Sequence, residues 1–283
     1  MASLPFISWV EPVSPPSEPE NYESRTDHRN NILASDFTSG MHYNGTGVWL
    51  ALEDDGQIGP HIDYQGRLDQ TNADPSAGSH GDHCAGILGG AGNVDPKGKG
   101  NGFGCNILLY DANGWESLYD IPNSIVNPGV VITSTSYSDG CNAGYSTVSQ
   151  MLDQQIWDYP QLMHVFSAGN QGGTNCGPIT GWYEITGGHK VAKNCITVAN
   201  VTKEDFIAPS SSRGPAEDGR LKPEISAVGT NVYSTMDPNT YQVLTGTSMA
   251  CPGIAGTLTQ LYEAWRTEHS GANPQSDVIT TSV

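Results

Sequence analysis

Five short apolar runs, rich in β-branched residues and almost free of polar alternation, punctuate the chain: Gly47 to Leu52 (GVWLAL), Ile107 to Tyr110 (ILLY), Val130 to Thr135 (VVITST), Met163 to Ser167 (MHVFS) and Ile196 to Val201 (ITVANV). A strand with one wet face alternates, so a strand apolar on both faces must be covered on both. Helical spacing fills several of the gaps. His80 to Leu88 is small and apolar, Ser146 to Tyr159 sets Val148, Met151, Leu152, Ile156 and Trp157 on roughly one face, and Met249 to Trp265 keeps a similar period. Buried strands separated by helices predict an α/β protein of three layers, a mostly parallel central sheet with helices on both faces. In such sheets sites gather at the carboxyl ends of strands, and the residues just after each run are the ones to inspect.

The 283 residues are enough for one sizeable core. Residues 1–30, which include EPVSPPSEPENYESRTDHRN, are dominated by Pro, Glu and Ser and read as an arm or linker ahead of a single domain, 31–283. The final VITTSV resembles a strand more than a terminus, and the natural chain is expected to continue beyond it. Twelve basic residues face thirty acidic ones, a formal charge of -18 that repels phosphate backbones and anionic lipid, so neither nucleic acid nor membrane is expected as a partner. No apolar stretch reaches the ~18 residues of a membrane helix, and MASLPF lacks the basic and apolar regions of a secretory signal.

The Gly-rich segment GGAGNVDPKGKGNGFG (89–104) fails as a phosphate loop. Asn93 and Gly100 stand where a Walker loop needs Gly and a hydroxyl, and Phe103 stands where the third Gly of a dinucleotide fingerprint belongs. Of six cysteines, Cys141 and Cys176 lie in Gly/Asn-rich loops where a disulfide makes sense. Cys84, Cys105, Cys195 and Cys251 adjoin apolar runs and read as buried thiols.

Three chemistry-bearing residues sit at strand ends or helix starts: Asp54 after GVWLALE, His80 opening HGDHCAGI, and Ser248 opening the last helix in TGTSMACP. A serine hydroxyl is a poor nucleophile at neutral pH and needs a base to take its proton; a carboxylate that orients the imidazole completes the set required for acyl transfer. Backbone N–H groups at the start of the last helix and the Asn170 amide, directly after the run at 163–167, would meet the negative charge that forms on a tetrahedral oxygen.

Together ALEDDG, HGDHCAGI, SAGN, FIAPSSSRGPAEDGRLKPEISAVG and GTSMACPGIAG resemble, in this order, the blocks of the subtilisin-like serine peptidases. The resemblance implies a secreted endopeptidase with Asp54, His80 and Ser248 as its triad and Asn170 as oxyanion donor. The Asp54-Asp55 pair is spelled as in kexin-type members, which favours Asp54 as the triad carboxylate. It also implies that Ser136, Tyr137 and Ser138 form one wall of the pocket for the side chain before the scissile bond, with Ala168 and Gly169 on the other. Peptide or protein substrates would pair there with the strand edge, and an N-terminal propeptide inhibitor outside this sequence is expected. The chemistry needs no cofactor. Structural calcium occurs in relatives, and Asp63 in GPHIDYQG matches one such position, but the companion loop is replaced by GNVDPKGKGNG, so no calcium site is assigned. A peptide ligase or macrocyclase using the same triad, and an inactive binding module on the same scaffold, are the alternatives. Asp82 in place of the usual Thr is expected to raise the pKa of His80, and the base of the pocket, between Gly172 and Lys190, matches no family pattern.

Overall fold

The computed structural model describes residues 21–75, 78–112, 116–141 and 144–275. Seven parallel strands form the central sheet: β1 (Trp49–Asp54), β2 (Leu68–Asn72), β3 (Asn106–Asp111), β4 (Val130–Thr135), β5 (Met163–Ser167), β6 (Ile196–Val201) and β7 (Ile225–Val228), in the spatial order β2-β3-β1-β4-β5-β6-β7. The order turns back on itself at β1, which has β3 on one side and β4 on the other. That reversal opens a crevice at the carboxyl ends of β1 and β4.

The inner strands are largely apolar on both faces because both faces are covered. On β1, Leu50 and Leu52 join the core beneath α3 (His80–Gly89) and α6 (Thr247–Glu268). Ala51, between them, points the other way into a cluster with Ile121 of α4 (Glu116–Val126). Further along that second face, Val148 and Leu152 of α5 (Thr147–Asp158) pack with Phe166 of β5. A hairpin of β8 (Val232–Met236) and β9 (Thr240–Leu244) lies against α3. A side chain on Gly86 would run into Ser234 and Thr235, so helix and hairpin meet there at backbone distance.

Two short helices precede the sheet: α1 (Asn21–Asp27) and α2 (Asn30–Leu33). Residues 21–30, read from composition as the end of an arm, are therefore structured. Ser24 and Asn30 are buried, Asn30 donates to Asn101 Oδ1 and, at 3.2 Å, to Thr257 Oγ1, and His28 Nε2 accepts from the Val228 N–H at 3.2 Å. This docking relies on polar groups satisfied by buried polar partners, which a count of apolar residues does not register. Residues 1–20 and the strand-like tail 278–283 lie outside the described residues.

Candidate active site

β1 delivers two adjacent carboxylates that do different work. Asp54 Oδ1 lies 2.6 Å from His80 Nδ1 and accepts the Asp55 N–H at 3.0 Å. Asp55 instead takes the backbone N–H of His80 at 3.0 Å and of Gly81 at 2.7 Å. These are the first two donors of α3, which no intrahelical carbonyl can satisfy, and Ser79, the residue at the cap position, makes no side-chain cap. One carboxylate thus holds the imidazole and the next holds the helix start that carries it. Burial disfavours the imidazolium of His80, but the bond to Asp54 and the charges of Asp54 and Asp55 outweigh it and raise its pKa above the ordinary value.

Asp82 plays no part in that balance. Its carboxylate accepts the Gly59 N–H at 2.9 Å, and burial, with the charges of Asp237 and Asp55, pushes its own pKa up to about 6. The expectation that Asp82 raises the His80 pKa is corrected: two residues on along α3, Asp82 faces the Gly59 loop, and Asp54 and Asp55 act on the ring instead.

Ser248 is the second residue of α6, and the proline four residues on explains the surroundings of its carbonyl. Pro252 has no N–H, so the Ser248 C=O loses its normal helical donor. The gap is filled from outside: the Cys84 thiol donates to this oxygen at 3.4 Å and the Ser136 hydroxyl at 3.2 Å. Cys84 lies one turn after His80 and its sulfur is 3.7 Å from Nδ1, so this single thiol touches both the imidazole and the serine backbone. Burial keeps it protonated, its pKa pushed well above the usual thiol range. The Ser248 hydroxyl donates to the Ser136 carbonyl at 3.2 Å rather than to the imidazole.

Asn170 follows β5 in a loop where Gly169 has a φ of 109°, a region that favours glycine. Its Oδ1 accepts from the Thr247 N–H at 2.9 Å and from the Thr247 hydroxyl at 3.1 Å, which fixes the amide and leaves Nδ2 beside Gly246 at the start of α6. Thr247 Oγ1 also receives the Gly169 N–H at 3.1 Å. Ala168 is fully buried and its carbonyl accepts the Thr186 N–H at 3.2 Å. On the opposite side Tyr137 packs its ring on His189, with centroids 5.2 Å apart, and the exposed Ser138 turns its hydroxyl to Thr186 Oγ1 at 2.8 Å. Cys141 and Cys176 are joined, with Cα atoms 5.6 Å apart, and tie the loop after β4 to the loop after β5.

The sequence reading brings Asp54, His80, Ser248 and Asn170 to one end of the sheet, but it passes over Asp55 as a cap, Cys84 as a bridge and Lys190 behind Ser138. The first carried a signal, a second acid just before a helix start; the other two depend on contacts between segments far apart in the chain.

Asp63 is buried and held by neighbouring donors. Its carboxylate already accepts the Asn93 N–H at 2.7 Å and the Tyr241 hydroxyl at 2.9 Å, with His61 Nδ1 3.8 Å away. Each carboxylate oxygen thus already accepts one donor from the protein, which ties Asp63 into the local hydrogen-bond network. Among the described residues, Asp54, His80 and Cys84 are the one trio whose ligand atoms lie within 4.8 Å of one another, and there the protonated thiol already serves as a hydrogen-bond donor.

A doubly covered parallel sheet with an Asp–His pair and a serine helix at its carboxyl edge defines the class of serine hydrolases. Within that class the chain belongs to the Subtilase family, whose profile matches residues 45–282, and it is a serine endopeptidase of the subtilisin-like type. It is 28% identical to thermitase of Thermoactinomyces vulgaris over 84% of this chain and 82% of that protein. It is 29% identical to the serine protease AprX of Bacillus subtilis, over 78% of this chain and 59% of AprX. In three dimensions it resembles a cold-adapted subtilisin-like serine proteinase with a TM-score of 0.63 at 22% identity, over 94% of this chain and 90% of that one. Among the described residues no helix is long and apolar enough to cross a membrane.

Proposed function

We propose that Ser248 is the nucleophile of this endopeptidase, His80 its general base and acid, and Asp54 the carboxylate that orients the imidazole. The Ser248 hydroxyl turns from the Ser136 carbonyl toward His80, gives its proton to the imidazole and forms the C–O bond of a tetrahedral intermediate with the scissile carbonyl. Collapse breaks the C–N bond, and His80 returns that proton to the departing amine. Water then enters by the same route and releases the acyl group from Ser248. Negative charge on the intermediate falls between the Asn170 amide and the Ser248 N–H, the latter among the unpaired donors at the start of α6.

The observation that carries this reading is the 2.6 Å contact of Asp54 with His80 Nδ1, made on a helix whose Cys84 thiol touches the Ser248 carbonyl. With Nδ1 so engaged, the ring's other nitrogen is left for the hydroxyl. Substrate backbone adds along Ser136 to Ser138 on one side and Ala168 to Gly169 on the other, main-chain bonds giving affinity and the pocket sorting side chains. The bridged Cys141 and Cys176 support an oxidising, extracellular setting.

Labelling with a fluorophosphonate, followed by peptide mapping, tests the assignment. Modification at Ser248 that is lost in His80→Ala is expected; an unlabelled Ser248 in folded protein that digests casein would overturn it.

A further inference from the structure

Behind the candidate pocket lies a cation without an anion. Lys190, in the short turn His189–Val191, is fully buried, and its three N–H donors are spent on three hydroxyls: Thr186 Oγ1 at 3.0 Å, Ser138 Oγ at 3.2 Å and Ser167 Oγ at 3.4 Å. Among the described residues no carboxylate pairs with it. The hydroxyls satisfy the geometry of the ammonium but leave its charge uncompensated, an arrangement a protein interior disfavours unless an anion is brought to it. Burial correspondingly drives the Lys190 pKa down to about 7, with only the Cys251 thiol pulling the other way.

The position of this cation relates it to the reaction. Ser138 is two residues beyond Ser136, whose carbonyl holds the Ser248 hydroxyl, and Ser167 opens the stretch through Ala168 and Gly169 to Asn170. The ammonium therefore sits between the two segments that flank the nucleophile. Ser167 and Thr186 are buried while Ser138 is exposed, so the cluster opens outward through Ser138 alone.

We propose that Lys190 is the specificity-determining residue of this site and that it selects substrates carrying aspartate or glutamate immediately before the scissile bond. An incoming carboxylate takes the N–H now given to Ser138 and accepts a second bond from the Ser138 hydroxyl, while Ser167 and Thr186 keep the other two. A basic side chain meets repulsion at the same place, and an apolar one leaves the buried charge unneutralised. The proposal rests on the peptidase reading above.

Its test is a set of internally quenched peptides that differ only at the residue before the cleaved bond, digested by the full chain and mapped by mass spectrometry. We expect kcat/KM for Glu or Asp to exceed that for Leu or Lys by about 10-fold or more, and Lys190→Met to lower the Glu-to-Leu ratio by about 10-fold or more. Wild-type enzyme that cuts after Leu or Lys as readily as after Glu overturns the proposal, whatever the variant does, as does an acid preference that survives Lys190→Met. Cleavage after apolar residues with Ser248 labelled by fluorophosphonate sinks the specificity alone. No cleavage and no labelling sink the peptidase reading and the specificity together.

Discussion

The two sides of the cleft treat charge in opposite ways. On the β1–α3 side two adjacent acids at the strand end meet donors, Asp54 the His80 ring and Asp55 the helix start beneath it. On the β5 side Lys190 has three hydroxyls and, among the described residues, no counter-ion. Lysine burial as such is not the cause, because Lys222, almost as deeply buried, is paired with Glu224 at 2.5 Å. Compensated charge fixes geometry; in the proposal above, uncompensated charge behind the pocket is a demand on the ligand. On the proposed reading the contrast separates the part of the site that positions the reacting groups from the part that chooses the substrate.

The largest blow falls on the compensated side. Ser248→Ala is expected to lower kcat on the order of 10⁴- to 10⁶-fold in a peptide-hydrolysis assay, the range found on removing a triad member from a serine peptidase. A loss under about 10-fold in the same assay would remove Ser248 from the chemistry. Next comes stability, measured by chemical denaturation. Glu224→Gln leaves Lys222 buried without its acid and should cost about 2 kcal/mol, reduced from the fully buried case because Glu224 is partly exposed. Lys190→Met removes a charge that has no partner and should be neutral or stabilising. If both variants lost stability equally, the two lysines would not differ as argued.

A smaller effect is expected from Asp55→Ala, which strips the start of α3 of its two acceptors. A loss of about 1 kcal/mol in unfolding free energy, the usual scale for a helix cap, should accompany a fall in kcat as His80 loses its anchorage. The smallest is a pH shift. The imidazole must be neutral to act as base, and its folded pKa is raised, so activity should fall as the pH drops through a midpoint above 6.5. Asp55→Asn removes one of the charges that raise it, and the acid limb of kcat/KM should move to lower pH; Asp82→Asn should leave that limb where it is. Movement with Asp82 and none with Asp55 would reverse the assignment.

Much of the sheet was legible in the chain because a parallel strand covered on both faces must be apolar throughout. Runs at 130–135, 163–167 and 196–201 coincide with β4, β5 and β6. The edge strand β2 (LDQTN) has a neighbour on one side only and keeps much of its surface wet, so its polar sequence reads as loop. β7, at the opposite edge, is four residues long, and α4 carries Pro122 in its interior, a residue that sequence reading treats as a breaker. The candidate site was legible at Asp54, His80, Asn170 and Ser248 because each stands at the end of a strand or the start of a helix, where local pattern and chemistry coincide. The distinction between Asp54 and Asp55, by contrast, needed to be seen in space, since both have the same chemistry and adjacent places.

By itself, then, the sequence determined the layers and the candidate site residues, since periodicity and helix and strand ends are properties of neighbouring residues. The tertiary structure alone decided that the Cys84 thiol caps a carbonyl orphaned by Pro252, and that Lys190 lies among the hydroxyls of Ser138, Ser167 and Thr186 and makes no ion pair with a described acid. Both depend on groups tens of residues apart meeting in a dry interior, where the cost of an unpaired dipole or charge is set by what else is packed there.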